Sequence, residues 1–95
     1  MVPEDMMNDF LFNLNEITYD MIVSIKLENY EDAALYRDFI NKSIKSVKKK
    51  LLKDNLTALS EGELDILFWS LKVQYIKEWS VELQLDNEKV PIDID

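Results

Sequence analysis

The chain has 95 residues, of which 47% are hydrophobic and 32% are charged, and 19 acidic residues outweigh 11 basic ones to give a formal net charge of -8. This length corresponds to one domain with a small core, and the hydrophobic content excludes a disordered chain. The acidic balance argues against direct nucleic-acid binding, because phosphate recognition depends on lysine and arginine.

The sequence contains neither cysteine nor histidine. Disulfides and thiolate metal sites are therefore excluded, and the usual general bases and nucleophiles of enzymes are missing. We expect a protein that is not an enzyme, with no catalytic, metal-binding or cofactor-binding residues. No stretch approaches the roughly 18 apolar residues that a membrane span needs. We therefore expect a soluble, cytoplasmic protein that does not bind membranes.

The first predicted helix runs from about residue 4 to residue 27. Glu4 and Asp5 stand in its first turn, where the helix dipole favours acidic side chains. Apolar residues then recur at steps of three and four, as they do on one face of a helix. They are Met6, Phe10, Leu14, Ile17, Met21 and Ile25.

The second predicted helix covers residues 31–53. Asn29 is a suitable N-cap, and Glu31 and Asp32 follow it in the first turn. Six lysines and no acids lie between residues 42 and 53. We expect this block to face acidic residues at the neighbouring helix ends, among them Glu61. The apolar stripe consists of Ala33, Tyr36, Ile40, Ile44, Val47 and Leu51.

The third predicted helix covers residues 61–85 and begins with a capping box formed by Ser60 and Glu63. Residues 86–95 are polar and contain Pro91, which predicts an extended, flexible, acidic tail. The sequence thus predicts an all-α, three-helix antiparallel bundle that forms one domain over residues 1–95. The main stripe of the third helix consists of Leu64, Leu67, Phe68, Leu71 and Tyr75.

A second apolar face appears when each helix is placed on a helical wheel, and it is widest on the third helix. Large exposed apolar patches generally mark association surfaces, and tryptophan, tyrosine and phenylalanine are enriched at interface cores. We therefore predict a protein interface, with a homodimer as the expected form. Its residues are Phe12, Tyr19, Val23, Tyr30, Leu35, Phe39, Ile66, Trp69, Val73, Ile76 and Trp79.

A short pattern surrounds the turn between the first two helices: an aromatic residue after an acidic turn, then Glu, two alanines, Arg-Asp and Ile. It consists of Tyr30, Glu31, Ala33, Ala34, Arg37, Asp38 and Ile40. Through this pattern residues 21–44 resemble the UVR motif. That motif is a helical hairpin shared by bacterial excision-repair proteins, some Clp-type ATPases and the activators of bacterial arginine kinases. The resemblance implies docking onto a protein through this hairpin, or pairing with a second copy of it.

The residues of this pattern also suggest how the hairpin packs. Ala33 and Ala34 are small enough for a close approach of the two helices, and Tyr30 is placed to plug the open end. Ile40 belongs to the apolar stripe of the second helix. We expect Arg37, which precedes Asp38, to pair with an acid across the hairpin, and Glu28 and Asp20 are the candidates.

Three functions fit these features. The first is a self-associating adaptor that docks on a larger protein through the hairpin or through the aromatic face of the third helix. The second is an acidic inhibitor that mimics DNA and occupies the basic cleft of a nucleic-acid-binding protein, although the lysine block interrupts its acids. The third is a small structural subunit of a larger assembly. Salt distinguishes the second from the first, because charge pairing is screened and apolar burial is not.

Overall fold

A computed structural model describes residues 4–91 of the chain. These residues form helices α1 (Glu4–Lys26), α2 (Tyr30–Lys53) and α3 (Glu61–Glu82), followed by a 3-10 helix, Asn87–Lys89. The described residues contain no strand, and the three helices pack together. The predicted all-α, three-helix architecture is confirmed.

Two predicted helix starts are present. The Asn29 side chain accepts a hydrogen bond from the Asp32 amide, and Ser60 and Glu63 form a reciprocal capping box. The Ser60 amide donates to Glu63 Oε1 at 3.0 Å, and the Glu63 amide donates to Ser60 Oγ at 3.2 Å. Hydrogen bonds from the Ser60 backbone and hydroxyl favour the ionised carboxylate, so they lower the pKa of Glu63 below its ordinary value. The cap therefore weakens only in acid.

The helices follow an up-down-up path in which α1 packs against both of the others and most extensively against α2. α1 and α3 are parallel, as shown by an edge-to-face contact of the Phe10 and Phe68 rings at 5.5 Å near one end. At the other end, Lys26 Nζ donates a hydrogen bond to the Leu83 carbonyl. The buried side chains of the main core are Phe10, Leu14, Met21, Ile22, Ile25, Ala33, Ile40, Leu51, Leu64, Phe68, Ile76 and Leu85.

The orientation of α3 differs from the prediction. Ile76 is fully buried in the main core and Val73 is also buried, although both were predicted on the outer face. Leu67, predicted on the main stripe, is exposed. Because α3 packs against both α1 and α2, its buried arc is wide and centred near Lys72. Its apolar residues encircle the helix, so their spacing did not define which side faces inward.

As far as residue 91, the segment that follows α3 stays packed against the bundle. Leu85 is buried and Val90 packs against the core. Lys89 Nζ lies 3.3 Å from Glu28 Oε1, a contact that raises the pKa of Lys89 and ties this segment to the α1–α2 turn. The prediction of an extended tail is therefore wrong for the 3-10 helix. Residues 92–95, which include part of the predicted tail, lie outside the described residues.

Within residues 4–91, none of the helices combines the length and the apolar character that crossing a membrane requires.

Candidate functional site

The outer side of α3 exposes two large apolar side chains one turn apart. Ile66 is 68% exposed and Trp69 is 52% exposed. These two residues are here called the helix-3 patch. Val73 and Ile76 do not belong to it, because they are buried. The exposed part of the predicted α3 interface is therefore confined to the first half of the helix.

Trp79, also predicted as an interface residue, contacts α1. Its Nε1 donates a hydrogen bond to Asn15 Oδ1 at 2.8 Å. Its ring meets the Tyr19 ring edge to face, with centroids 4.8 Å apart and an interplanar angle of 71°. Tyr19 remains exposed, and Trp79 is partly buried. Asn15 and Trp79 form the shared floor of two adjoining shallow depressions between α1 and α3, and Tyr19 also lines one of them. The two depressions together are here called the aromatic groove.

Four exposed carboxylates line the aromatic groove. Glu16 and Asp20 lie on its α1 side, and Glu78 and Glu82 lie on its α3 side. Glu78 accepts a hydrogen bond from the Gln74 side chain at 3.0 Å. Among the described residues, none of the four carboxylates forms an ion pair. The groove is thus an aromatic surface inside a negatively charged rim.

The outer face of α1 continues this apolar surface in both directions. Phe12 is 63% exposed and lies two turns before Tyr19 on the same face. Val23 is partly buried one turn after Tyr19, and Leu27 is exposed just beyond the end of α1. Leu27 is the last residue of the predicted first helix and was not among the predicted interface residues.

Of the residues predicted to matter in the α1–α2 hairpin, some lie in the core and others on the surface. Ala33 and Ile40 are buried in the core, as packing of the two helices requires. Leu35 and Phe39, one turn apart on the outer face of α2, are exposed. Tyr30 is 56% exposed and so does not plug the end of the hairpin. The hairpin therefore offers a small apolar pair of its own on the surface.

Arg37 and Ala34 are placed differently from the prediction. Arg37 pairs with its neighbour Asp38 at 3.3 Å, while Glu28 pairs with Lys89, so the predicted pairing across the hairpin is wrong. The reason is local: the two side chains are adjacent in sequence, and the segment after α3 occupies Glu28. Ala34 is only partly buried. It lines an open cavity of about 430 Å³ beside α2.

The lysine-rich end of α2 does face acidic residues of α3, as predicted. Lys48 Nζ lies 2.8 Å from Asp65 Oδ1 and 3.5 Å from Glu61 Oε1. The hydrogen bond that Lys48 donates to Asp65, together with the negative charges of Asp65 and Glu61, raises the pKa of Lys48. Lys50 pairs with Asp54 at the end of the helix.

Lys72 is a buried charged residue that the sequence analysis missed. It lies on the inner side of α3 and donates a hydrogen bond from Nζ to Asn41 Oδ1 of α2 at 3.3 Å. No pattern marked it, because a lysine between two apolar neighbours in sequence is usually a surface residue. Within residues 4–91, no group of three or more Asp and Glu side chains is arranged to hold a metal ion.

No protein-family model matches the chain, and no curated protein or solved structure is significantly similar to it. The resemblance of residues 21–44 to the UVR motif stays a prediction.

Proposed function

We propose that this protein is a non-catalytic interaction module that self-associates and docks on another protein through exposed apolar surfaces of its helices. The observation that carries the proposal is the helix-3 patch. A half-exposed tryptophan beside a largely exposed isoleucine leaves apolar area in water, and burying such area is the main favourable term in protein association. Tryptophan is also among the residues that dominate binding energy at interfaces.

The hairpin supports the same function from a second surface. Leu35 and Phe39 place an aliphatic and an aromatic side chain one turn apart on the outside of α2. Pairs at this spacing are how amphipathic helices present anchors to a partner. The resemblance to the UVR motif, which is a protein contact element, points to docking at this position. We assign self-association to the helix-3 patch and docking on a different protein to the hairpin.

The test is the solution mass by light scattering over a roughly hundredfold range of concentration, at low and high salt. We expect a mass that rises from monomer to dimer with concentration and that changes little with salt, because apolar burial is not screened. The variant Ile66→Ser with Trp69→Ser should remain monomeric. Its far-UV circular dichroism should match the parent, because both side chains are on the surface.

A matched control is Leu67→Ser with Val81→Ser. Both residues are also exposed on α3, but they lie outside the helix-3 patch. The control should dimerise as the parent does. A parent protein that is monomeric throughout, or a patch variant that dimerises normally, would contradict the proposed self-association. A dimer that dissociates in high salt would favour charge pairing and with it the acidic alternative.

A further inference from the structure

The aromatic groove carries an unbalanced charge. Glu16 and Asp20 are four residues apart on α1, and Glu78 and Glu82 are four residues apart on α3. Like charges at this spacing face each other on a helix and destabilise it. Glu82 is also the last residue of α3, where the negative end of the helix dipole disfavours an acid. Among the described residues, no cation lies within ion-pair distance of either pair.

The floor of the groove is suited to a cation as well. The hydrogen bond from Trp79 Nε1 to Asn15 holds the indole in place, and the contact with Tyr19 holds the second ring against it. The faces of indole and phenol rings attract ammonium and guanidinium groups. Nearby carboxylates attract the same groups through their charge. Lys26, the last residue of α1, is already bound to the Leu83 carbonyl.

We propose that the aromatic groove is the docking site for a lysine- or arginine-bearing segment of a partner protein. Cationic side chains of that segment pair with the four carboxylates, and apolar parts of the same side chains lie on Trp79 and Tyr19. Phe12, farther along the same face of α1, extends the apolar contact. The inference rests on the proposed interaction function, but it uses a different surface from the helix-3 patch.

A second copy of this chain is a poorer occupant of the groove. Two of its six lysines within residues 42–53 are already held, Lys48 by Glu61 and Asp65 and Lys50 by Asp54. Each copy also carries a net charge of -8, so the approach of two copies is opposed by their overall repulsion. A basic partner meets neither obstacle, and its association is accelerated by the same field.

The experiment uses the full chain with Trp69→Phe, which leaves Trp79 as the only tryptophan and reports on the groove by its fluorescence. The probe is a synthetic amphipathic peptide of arginine and leucine, with a glutamine-for-arginine peptide as its control. We expect the arginine peptide to change the Trp79 emission saturably. The glutamine peptide should bind about tenfold more weakly or worse.

Two charge variants locate the binding. The groove variant combines Glu16→Gln, Asp20→Asn, Glu78→Gln and Glu82→Gln. The control variant combines Glu4→Gln, Asp5→Asn, Asp9→Asn and Glu31→Gln, which are exposed acids outside the groove. Both remove four negative charges. We expect the groove variant to lose at least about tenfold in affinity and the control variant to lose much less, because nearby charges are screened less than distant ones.

Three outcomes would overturn the inference. One is equal loss in both variants, which would reflect net charge alone. Another is unchanged affinity in the groove variant. The third is a dimer of the parent protein that the groove variant abolishes, which would make a second copy the occupant. Because the helix-3 patch is tested separately through Ile66 and Trp69, failure of the groove and failure of the proposed self-association give different results.

Discussion

Two isoleucines of α3 have opposite environments and make a matched pair. Ile76 is fully buried in the core, whereas Ile66 is 68% exposed. We expect Ile76→Ala to lower the free energy of unfolding by about 2 to 5 kcal/mol, because it removes buried methyl groups and leaves a cavity. Ile66→Ala should change it by less than about 0.5 kcal/mol. Urea unfolding of both variants measures the difference.

The same two variants test which side of α3 faces the core. If both variants are as stable as the parent protein, Ile76 lies with Ile66 on the outer face of α3, as the sequence predicted. A large loss of stability in Ile66→Ala alone would mean that α3 is rotated so that Ile66 faces the core.

The sequence indicates which individual residues belong to a surface better than it indicates which of them meet in space. Tyr19 and Trp79 were predicted as interface residues because they lie off the main apolar stripes. The structure brings them together across α1 and α3, which no spacing within a single helix can indicate. Asn15, which accepts the hydrogen bond from Trp79, and the rim carboxylates were missed for the same reason. A groove between two helices depends on their relative rotation, and for α3 the sequence did not define that rotation.

At the scale of the helix, all three α-helices end in the same way and none of them uses glycine. Glu28, Asn55 and Gln84 follow the ends of α1, α2 and α3, and each has a positive φ, between 52° and 60°. The amide after each of them bonds to a carbonyl five residues earlier, as from Leu85 to Ser80 at 2.8 Å. This is the Schellman ending, which usually places glycine at the positive-φ residue.

The same substitution can be compared at two glutamines, Gln84 at the end of α3 and Gln74 in its middle. We expect Gln84→Gly to raise the free energy of unfolding by about 0.5 to 1 kcal/mol, since glycine adopts positive φ without steric strain. Gln74→Gly, in the middle of α3, should lower it by about 1 kcal/mol. Thermal unfolding of both variants tests the difference in sign.

A loss of stability in both glycine variants would mean that Gln84 is not strained in the folded protein. It would also mean that the end of α3 is not the tight turn described here.

Helix starts were predictable from the sequence, and helix ends were less so. Ser60 with Glu63, and Asn29 with its acidic neighbours, are local signals, because the capping side chains bond to amides three residues away. The helix ends lack glycine, which is the usual signal of a helix end in a sequence. As a result, α3 was predicted to reach residue 85, whereas it ends at Glu82. The fold of the following segment depends on contacts with α1 and α2, such as Lys89 with Glu28, which are distant in sequence.

At the scale of the molecule, the distribution of charge matters more than its total. Nineteen acids are divided between the two ends of the sequence, while six of the eleven basic residues are lysines within residues 42–53. Some acids stabilise the fold, as Glu4 and Glu31 do in the first turns of α1 and α2. Others, such as Glu78 and Glu82, repel each other. Neutralising acids should therefore change stability in opposite directions at different places.

The groove and control variants test this directly, since each removes four negative charges. In low salt we expect the groove variant to melt roughly 4 °C above the parent protein, because it relieves two like-charge pairs and an acid at the end of α3. The control variant should melt below the parent, because three of its four acids stand in first turns of helices. Differential scanning calorimetry in low and high salt measures both.

High salt should reduce both differences, because these charges are exposed and screened. If both variants are stabilised equally, self-repulsion of the whole acidic chain governs stability and the groove has no special charge. If instead only the groove variant is stabilised, its carboxylates reduce the stability of the folded protein. That result would fit the proposed docking site, because a basic partner would relieve the same repulsion that the substitutions remove.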